Sequence, residues 1–222
     1  MTQLLENIEI ETAPNPEIAV IWLHGLGADG NDFVPLVNEL DLSSLPGIRF
    51  VFPHAKTMPV TINGGYVMRA WYDISNADLS RREDEGGLRA SQRDVEALIA
   101  REKSRGIPAS RIILAGFSQG CAMTLQTGMR HPEKLAGMLC LSGYLPLANV
   151  AAAERHEASL ATPIFMAHGL HDNVVPFVRA QQSAQVLEDL GYDVEWHQYT
   201  MQHSLCLEEV QDVSTWMRKV LA

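Results

Sequence analysis

RIILAGFSQGC, residues 111–121, joins two kinds of local structure. Ile112, Ile113, Leu114 and Ala115 form a short continuous apolar run, as a strand buried on both faces does. The helix-compatible stretch CAMTLQTGMR begins at Cys121, directly after Gly116-Phe117-Ser118-Gln119-Gly120. Gly-x-Ser-x-Gly between a strand and a helix is the setting of a nucleophile elbow. So sharp a turn forces its serine into a sparsely populated backbone conformation, and the crossing chains pass only if the residues two places to either side lack bulk. The Ser118 hydroxyl then stands clear of the sheet beside a helix N-terminus, whose unpaired N–H groups favour developing negative charge. An ordinary strand-to-helix turn holding a serine also fits these five residues, so the reading depends on partners elsewhere in the chain.

Outward from the elbow, β-like runs occur at Leu5 to Glu11, Ala19 to His24, Ile48 to Pro53, Leu135 to Ser142, Ile164 to His168 and Val194 to Tyr199. Helix-like runs alternate with them from the second strand on. Leu88, Val95, Leu98 and Ile99 keep a helical period over Leu88 to Arg105, closed by Gly106 and Pro108. Val178 to Leu190 ends at Gly191, and Glu208 to Leu221 ends the chain. Alternation of this kind predicts an α/β fold, a mostly parallel central sheet with helices on both faces, in a single domain over residues 1–222. Two connections look irregular. Pro53 to Gly87 carries a turn signal at Asn63-Gly64-Gly65 and unusual apolar content in Met58, Met68, Trp71 and Tyr72, which favours a functional loop. Gly143 to Thr162 has room for one helical segment, around Val150 to His156, and none for a large cap domain.

With 222 residues, 46% of them hydrophobic, the chain can bury a core without disulfide or metal staples. A formal charge of −10 disfavours nucleic acid and anionic lipid as partners. The adjacent basic pairs Arg81-Arg82 and Arg218-Lys219 read as solvated faces. The N-terminus has neither the basic start nor the apolar core of a secretory signal, and no stretch approaches a membrane span, so no stable membrane insertion is expected. Three cysteines, Cys121, Cys140 and Cys206, in apolar surroundings read as reduced thiols of a cytoplasmic protein.

A serine hydroxyl needs a histidine as base and an acid to orient that histidine. In an open parallel sheet the chemistry gathers at the carboxyl ends of strands. His203 follows Val194 to Tyr199 and precedes the last helix; His54, His168 and His171 also lie near strand ends, and His24 is placed to shape the site. Asp172 lies just beyond Ile164 to His168, whereas Asp193 opens a strand at the opposite end. The order Ser118, Asp172, His203 is that of α/β-hydrolases. Acyl transfer also needs an oxyanion hole. The backbone N–H of Gln119 is one candidate donor, and Gly25 and Gly27 free the loop after the second strand to aim the Leu26 N–H inward.

Two decoys accompany this set. Gly25-Leu-Gly27-Ala-Asp-Gly30 matches G-x-G-x-x-G, follows a strand and precedes a helix-like stretch, Asn31 to Leu40, but no Asp or Glu lies between Asp41 and Asp73, where dinucleotide binding needs an acid for the ribose. His168-x-x-His171 suggests a metal, but no further ligand cluster supports one.

The segments IWLHGLGADG at Ile21, GGYVMRAWYDI at Gly64, RIILAGFSQG at Arg111, LSGYLP at Leu141, HGLHDNVVP at His168 and His203-Ser204 together resemble the carboxylesterases and acyl-protein thioesterases of the α/β-hydrolase fold, the phospholipase/carboxylesterase group. The likeness covers nearly the whole chain. It implies a Ser118, Asp172, His203 triad, Leu26 and Gln119 as oxyanion donors, hydrolysis of carboxylic esters or thioesters without cofactor or metal, and a homodimer. Two departures concern packing: Cys121 stands where a small residue is frequent, and Leu207 near where some relatives carry proline. With no cap, the serine is expected in an open cleft, with short to medium acyl chains lying along Met68, Trp71 and Val175. Acylated proteins (a depalmitoylase) and lysophospholipids are the alternative substrates, and a catalytically silent binding protein is the non-enzyme alternative, against which the intact triad argues.

Overall fold

A computed structural model describes residues 4–75 and 83–222; the Arg81-Arg82 pair lies outside them. The first three strands are β1 (Asn7–Glu11), β2 (Ile18–Leu23) and β3 (Ile48–Pro53), and the elbow strand is β6 (Ile112–Phe117). With β7 (Gly137–Leu141), β8 (Ile164–Gly169) and β9 (Val194–Tyr199) they form a seven-stranded sheet in the order β1-β3-β2-β6-β7-β8-β9. All pairings are parallel except β1 with β3 at the edge. Two short strands, β4 (Thr57–Val60) and β5 (Tyr66–Arg69), form a separate antiparallel hairpin.

β6 is central, and its side chains alternate between two apolar layers as the period of a strand demands. Ile112 and Leu114 pack with Leu88, Val95, Leu98 and Ile99 of α1 (Glu85–Ser104) and with Ala122 and Met123 of α2 (Gln119–Gly128). Ile113 and Ala115 face the other way, toward Val213, Trp216 and Met217 of α5 (Leu207–Leu221). Beside α2, the short α3 (Ala148–Glu154) and α4 (Phe177–Asp189) cover β7 and β8 through Met138, Cys140, Ile164 and Met166. Helices therefore cover both faces, and among the described residues no cap domain intervenes between β7 and β8.

Three segments differ from the sequence expectation. Asn31 to Leu40 is not an α-helix: Pro35 has no N–H to offer the Asn31 carbonyl, which accepts from Val34 instead, and the chain forms a 3₁₀ segment over Val34–Asn38. The connection after Pro53 is not a loop throughout but holds the β4–β5 hairpin, reversed at Gly64 and Gly65 with φ of 66° and 79°, a conformation glycine adopts without steric cost. α1 begins at Glu85, three residues earlier than its apolar period suggests, because the Asp84 side chain caps the Gly87 N–H at 2.9 Å.

Glu209, in the first turn of α5, is fully buried, and neither carboxylate oxygen has a hydrogen-bond partner. Burial pushes its carboxyl up to about 8, and the backbone amide of Cys206 offsets this only in part. The folded chain thus binds a proton that the unfolded chain releases near 4.5. Its stabilising contribution is complete below that value and is lost at about 1.4 kcal/mol per pH unit as pH rises toward about 8. Glu209→Gln, neutral throughout, is expected to raise the melting temperature at pH 9 by about 5–10 °C. At pH 5 it should change little; equal shifts at both pH values in thermal melts would remove this account.

Candidate active site

Ser118 occupies φ 57°, ψ −117°, a strained conformation for a residue with a side chain, between β6 and the first residue of α2. Its N–H is anchored on the Leu141 carbonyl at 2.9 Å. The flanking glycines are required by contact: a Cβ on Gly116 would strike the Gly120 carbonyl, and one on Gly120 would strike that of Leu23. Cys121, one step on, is fully buried beneath the elbow, where a Cβ on Gly143 would meet its sulfur. Leu207, by contrast, is 68% exposed at the start of α5.

Three strand ends converge on the elbow. His203, in the loop between β9 and α5, places Nε2 2.9 Å from Ser118 Oγ and Nδ1 2.6 Å from Asp172 Oδ2. Asp172, just past β8, has its other oxygen fixed by the N–H groups of Val174 at 2.8 Å and Val175 at 2.9 Å. His168 Nε2 lies 2.8 Å from the Val175 carbonyl and 3.2 Å from Asp172 Oδ2. Both partners are acceptors, so that nitrogen carries the proton. Burial alone would raise the Asp172 carboxyl; hydrogen bonds from His168, His203, Val175 and Val174 together outweigh it and hold the group well below the usual carboxylate range. Asp172 is therefore an anion poised to orient His203 Nδ1–H, which leaves Nε2 bare to accept from the serine hydroxyl. The Phe117 ring packs against His203 with centroids 4.8 Å apart.

The loop after β2 approaches the elbow from the other side. Gly25 lies so close that a Cβ there would be 3.4 Å from that of Ser118. Gly27, with φ 77°, donates its N–H to Arg69 at 2.9 Å. Among the described residues, neither the Leu26 nor the Gln119 N–H enters a turn or loop hydrogen bond, and Gln119 stands at the first position of α2, where the amide has no partner within the helix. His24 is buried beneath the loop, its Nε2 accepting from the Ala55 N–H at 3.0 Å and its Nδ1 donating to the Gly25 carbonyl at 2.7 Å. Burial pushes this imidazole down to about 4 against the pull of that carbonyl, so it is neutral near pH 7. Its role is structural. The other histidines near strand ends go elsewhere: His54 accepts from the Gly30 N–H at 3.0 Å, and His171 is exposed.

A cavity of about 480 Å³ opens over Ser118, walled by Leu26, Ile62, Ile74, Val174 and Val175, with Tyr72 and Tyr144 joined through their hydroxyls at 2.8 Å. Of the residues expected to meet substrate, Val175 lines this cavity. Met68 and Trp71 do not: Met68 Sδ accepts from Asn63 on the hairpin, and Trp71 is 2% exposed behind the elbow. Sequence reasoning missed the second histidine on Asp172, although a spacing of four residues past a strand end could have suggested it. It also missed the tyrosine pair, 72 residues apart in the chain.

The chain matches the phospholipase/carboxylesterase family over residues 5–221. It is 38% identical to the acyl-protein thioesterase 1 of Yarrowia lipolytica over 205 residues, covering 90% of each chain. To the acyl-protein thioesterase 1 of Neurospora crassa it is 40% identical over 212 residues, covering 91% of this chain and 86% of that one. Among solved structures, Arabidopsis thaliana SOBER1 superposes with a TM-score of 0.87 at 30% identity, covering 92% of this chain and 99% of that one. The acyl-protein thioesterase 2 of Zea mays superposes with a TM-score of 0.83 at 26% identity, covering 97% and 99%.

Proposed function

The chain belongs to the phospholipase/carboxylesterase family and is a serine ester hydrolase, and from that premise we propose that Ser118, His203 and Asp172 form its catalytic triad, with the Leu26 and Gln119 N–H groups as the oxyanion hole. The observation that carries the reading is the continuous relay from Asp172 Oδ2 through His203 to Ser118 Oγ, at 2.6 and 2.9 Å, on the wall of an apolar cavity. His203 Nε2 takes the hydroxyl proton as Ser118 attacks the ester carbonyl. The tetrahedral oxyanion is held by the two amides, and the imidazolium gives its proton to the leaving alcohol or thiol. Water, activated by the same imidazole, then attacks the acyl-enzyme, the Ser118–acyl bond breaks, and the acid leaves.

The substrate reading is a carboxylic ester with a short to medium acyl chain. Ile62, Ile74 and Val174 supply an apolar wall for the chain, and the hydroxyl-paired Tyr72 and Tyr144 limit its depth. A second reading, an acylated protein as thioester substrate, is favoured by the relatives named acyl-protein thioesterase and by the rim of the cavity, where Val174 is 63% exposed. Cytoplasmic residence and a homodimer belong to the same proposal. The first is supported by the free cysteines Cys121, Cys140 and Cys206, and the second by the resemblance alone; light scattering would read two chains per particle. Among the described residues no helix is long and apolar enough to cross a membrane.

A matched panel of oxygen esters and thioesters from acetyl to palmitoyl tests the substrate class. The expected kcat/KM peaks between butyryl and octanoyl and falls about tenfold or more by palmitoyl. A maximum at palmitoyl thioester would transfer the assignment to the second reading.

A further inference from the structure

We propose that Trp71 and the side chain of Gln119 are positioning residues that brace the two halves of the oxyanion hole against each other; this rests on the reading of Ser118, Leu26 and Gln119 given above. The two donors sit on segments that the sheet does not hold together. The β2–β6 ladder ends at Leu23 paired with Gly116, three residues short of each amide. Beyond that point, a third segment spans the gap.

Trp71 follows the β4–β5 hairpin and meets both sides. Its indole N–H donates to the His24 carbonyl at 2.9 Å, on the Leu26 side. Its backbone N–H donates to Gln119 Oε1 at 2.8 Å, on the elbow side, and Gln119 Nε2 donates to the Tyr72 carbonyl at 2.7 Å. Those two backbone partners also fix which way the Gln119 amide points, since one can only donate and the other only accept. Ser91 Oγ donates to the Trp71 carbonyl from α1, and the Arg69 carbonyl holds the Gly27 N–H at 2.9 Å. Trp71, Gln119 and His24 are each no more than 2% exposed, so these bonds do not compete with solvent.

Trp71 does not line the cavity, so it acts through the amides and not on the substrate. Geometry this tight matters, because a misplacement of about 1 Å at a reacting centre costs on the order of a hundredfold in rate. A brace of this kind affects charge stabilisation in the transition state and leaves ground-state binding alone.

Two variants approach the brace from opposite sides. Trp71→Phe keeps a ring and deletes the indole N–H. Gln119→Met keeps the side-chain length and the backbone donor while deleting both amide bonds. In each, kcat on a short ester is expected to fall about tenfold to a hundredfold with KM within about twofold. Affinity for a trifluoromethyl ketone, whose hemiketal places an oxyanion in the hole, should fall by the same factor, while affinity for an unreactive ether analogue of the ester holds. Folded variants that keep the wild-type kcat and ketone affinity overturn the proposal. So does a loss of kcat with ketone affinity intact, which would mark a general packing role. If Trp71→Phe does not fold, Gln119→Met decides alone. An active Ser118→Ala would sink the triad reading itself; an inactive one beside unaffected brace variants sinks only the brace.

Discussion

Replacing Ser118 with alanine is expected to lower kcat on a short-chain ester by about a million-fold, as loss of a serine-hydrolase nucleophile does. The size of the effect follows from what remains. His203 and Asp172 would keep their 2.6 Å contact, but no atom would be left to form the acyl-enzyme. Steady-state assay of purified protein, with melting temperature as a control on folding, reads the result. Ser118 is strained at φ 57°, so alanine inherits the strain without gaining new contacts, and stability should change little. A rate within about tenfold of the unmodified protein would show that another group attacks the ester.

Asp172→Asn should produce the second largest loss, about ten-thousand-fold in kcat, with the fold intact. The direction follows from the hydrogen-bond polarity around the carboxylate. Val174 and Val175 both donate to Oδ1, so the asparagine oxygen must take that place. The amide NH₂ then faces His203 Nδ1 and the proton on His168 Nε2, donor against donor. His203 answers by moving its own proton to Nε2, the nitrogen that should accept from Ser118. The base is present and 2.9 Å from its target, but in the wrong tautomer. Measured kcat for this variant, compared with that of Asp172→Ala, separates tautomer from simple loss of contact. Near wild-type turnover in the asparagine variant would mean that Asp172 does not orient the imidazole.

Much of this arrangement was legible in the chain because its demands are local. The elbow needs small residues two places either side of its serine, and Gly116 and Gly120 meet that need within five residues. β6 and β8 lie inside a parallel sheet, so their apolar runs are unbroken and stand out. Asp172 and His203 each follow a strand of that sheet, which is why their order along the chain sufficed to bring them to Ser118. Features built from distant side chains left no local signal. The β4–β5 hairpin hides because β4 is four residues long with Pro59 inside it, and in β5 the adjacent Tyr66 and Val67 are both exposed, so no alternation runs through the pair. Trp71 looked like a substrate contact for being aromatic in an irregular stretch, yet its indole and backbone amide reach residues 47 and 48 positions away. The Asn31 to Leu40 stretch has helix-like apolar spacing, but an α-helix running from Asn31 would need an N–H at Pro35 for the Asn31 carbonyl, which accepts from Val34 instead.

Intact-mass and peptide mapping after reaction with an excess of a fluorophosphonate ester measures the nucleophile without any choice of substrate. One equivalent of phosphonyl mass on the peptide holding Ser118, formed at a rate that falls with Asp172→Asn, is the expected result. Labelling at any other residue, or none at Ser118 in protein that still hydrolyses esters, would contradict it.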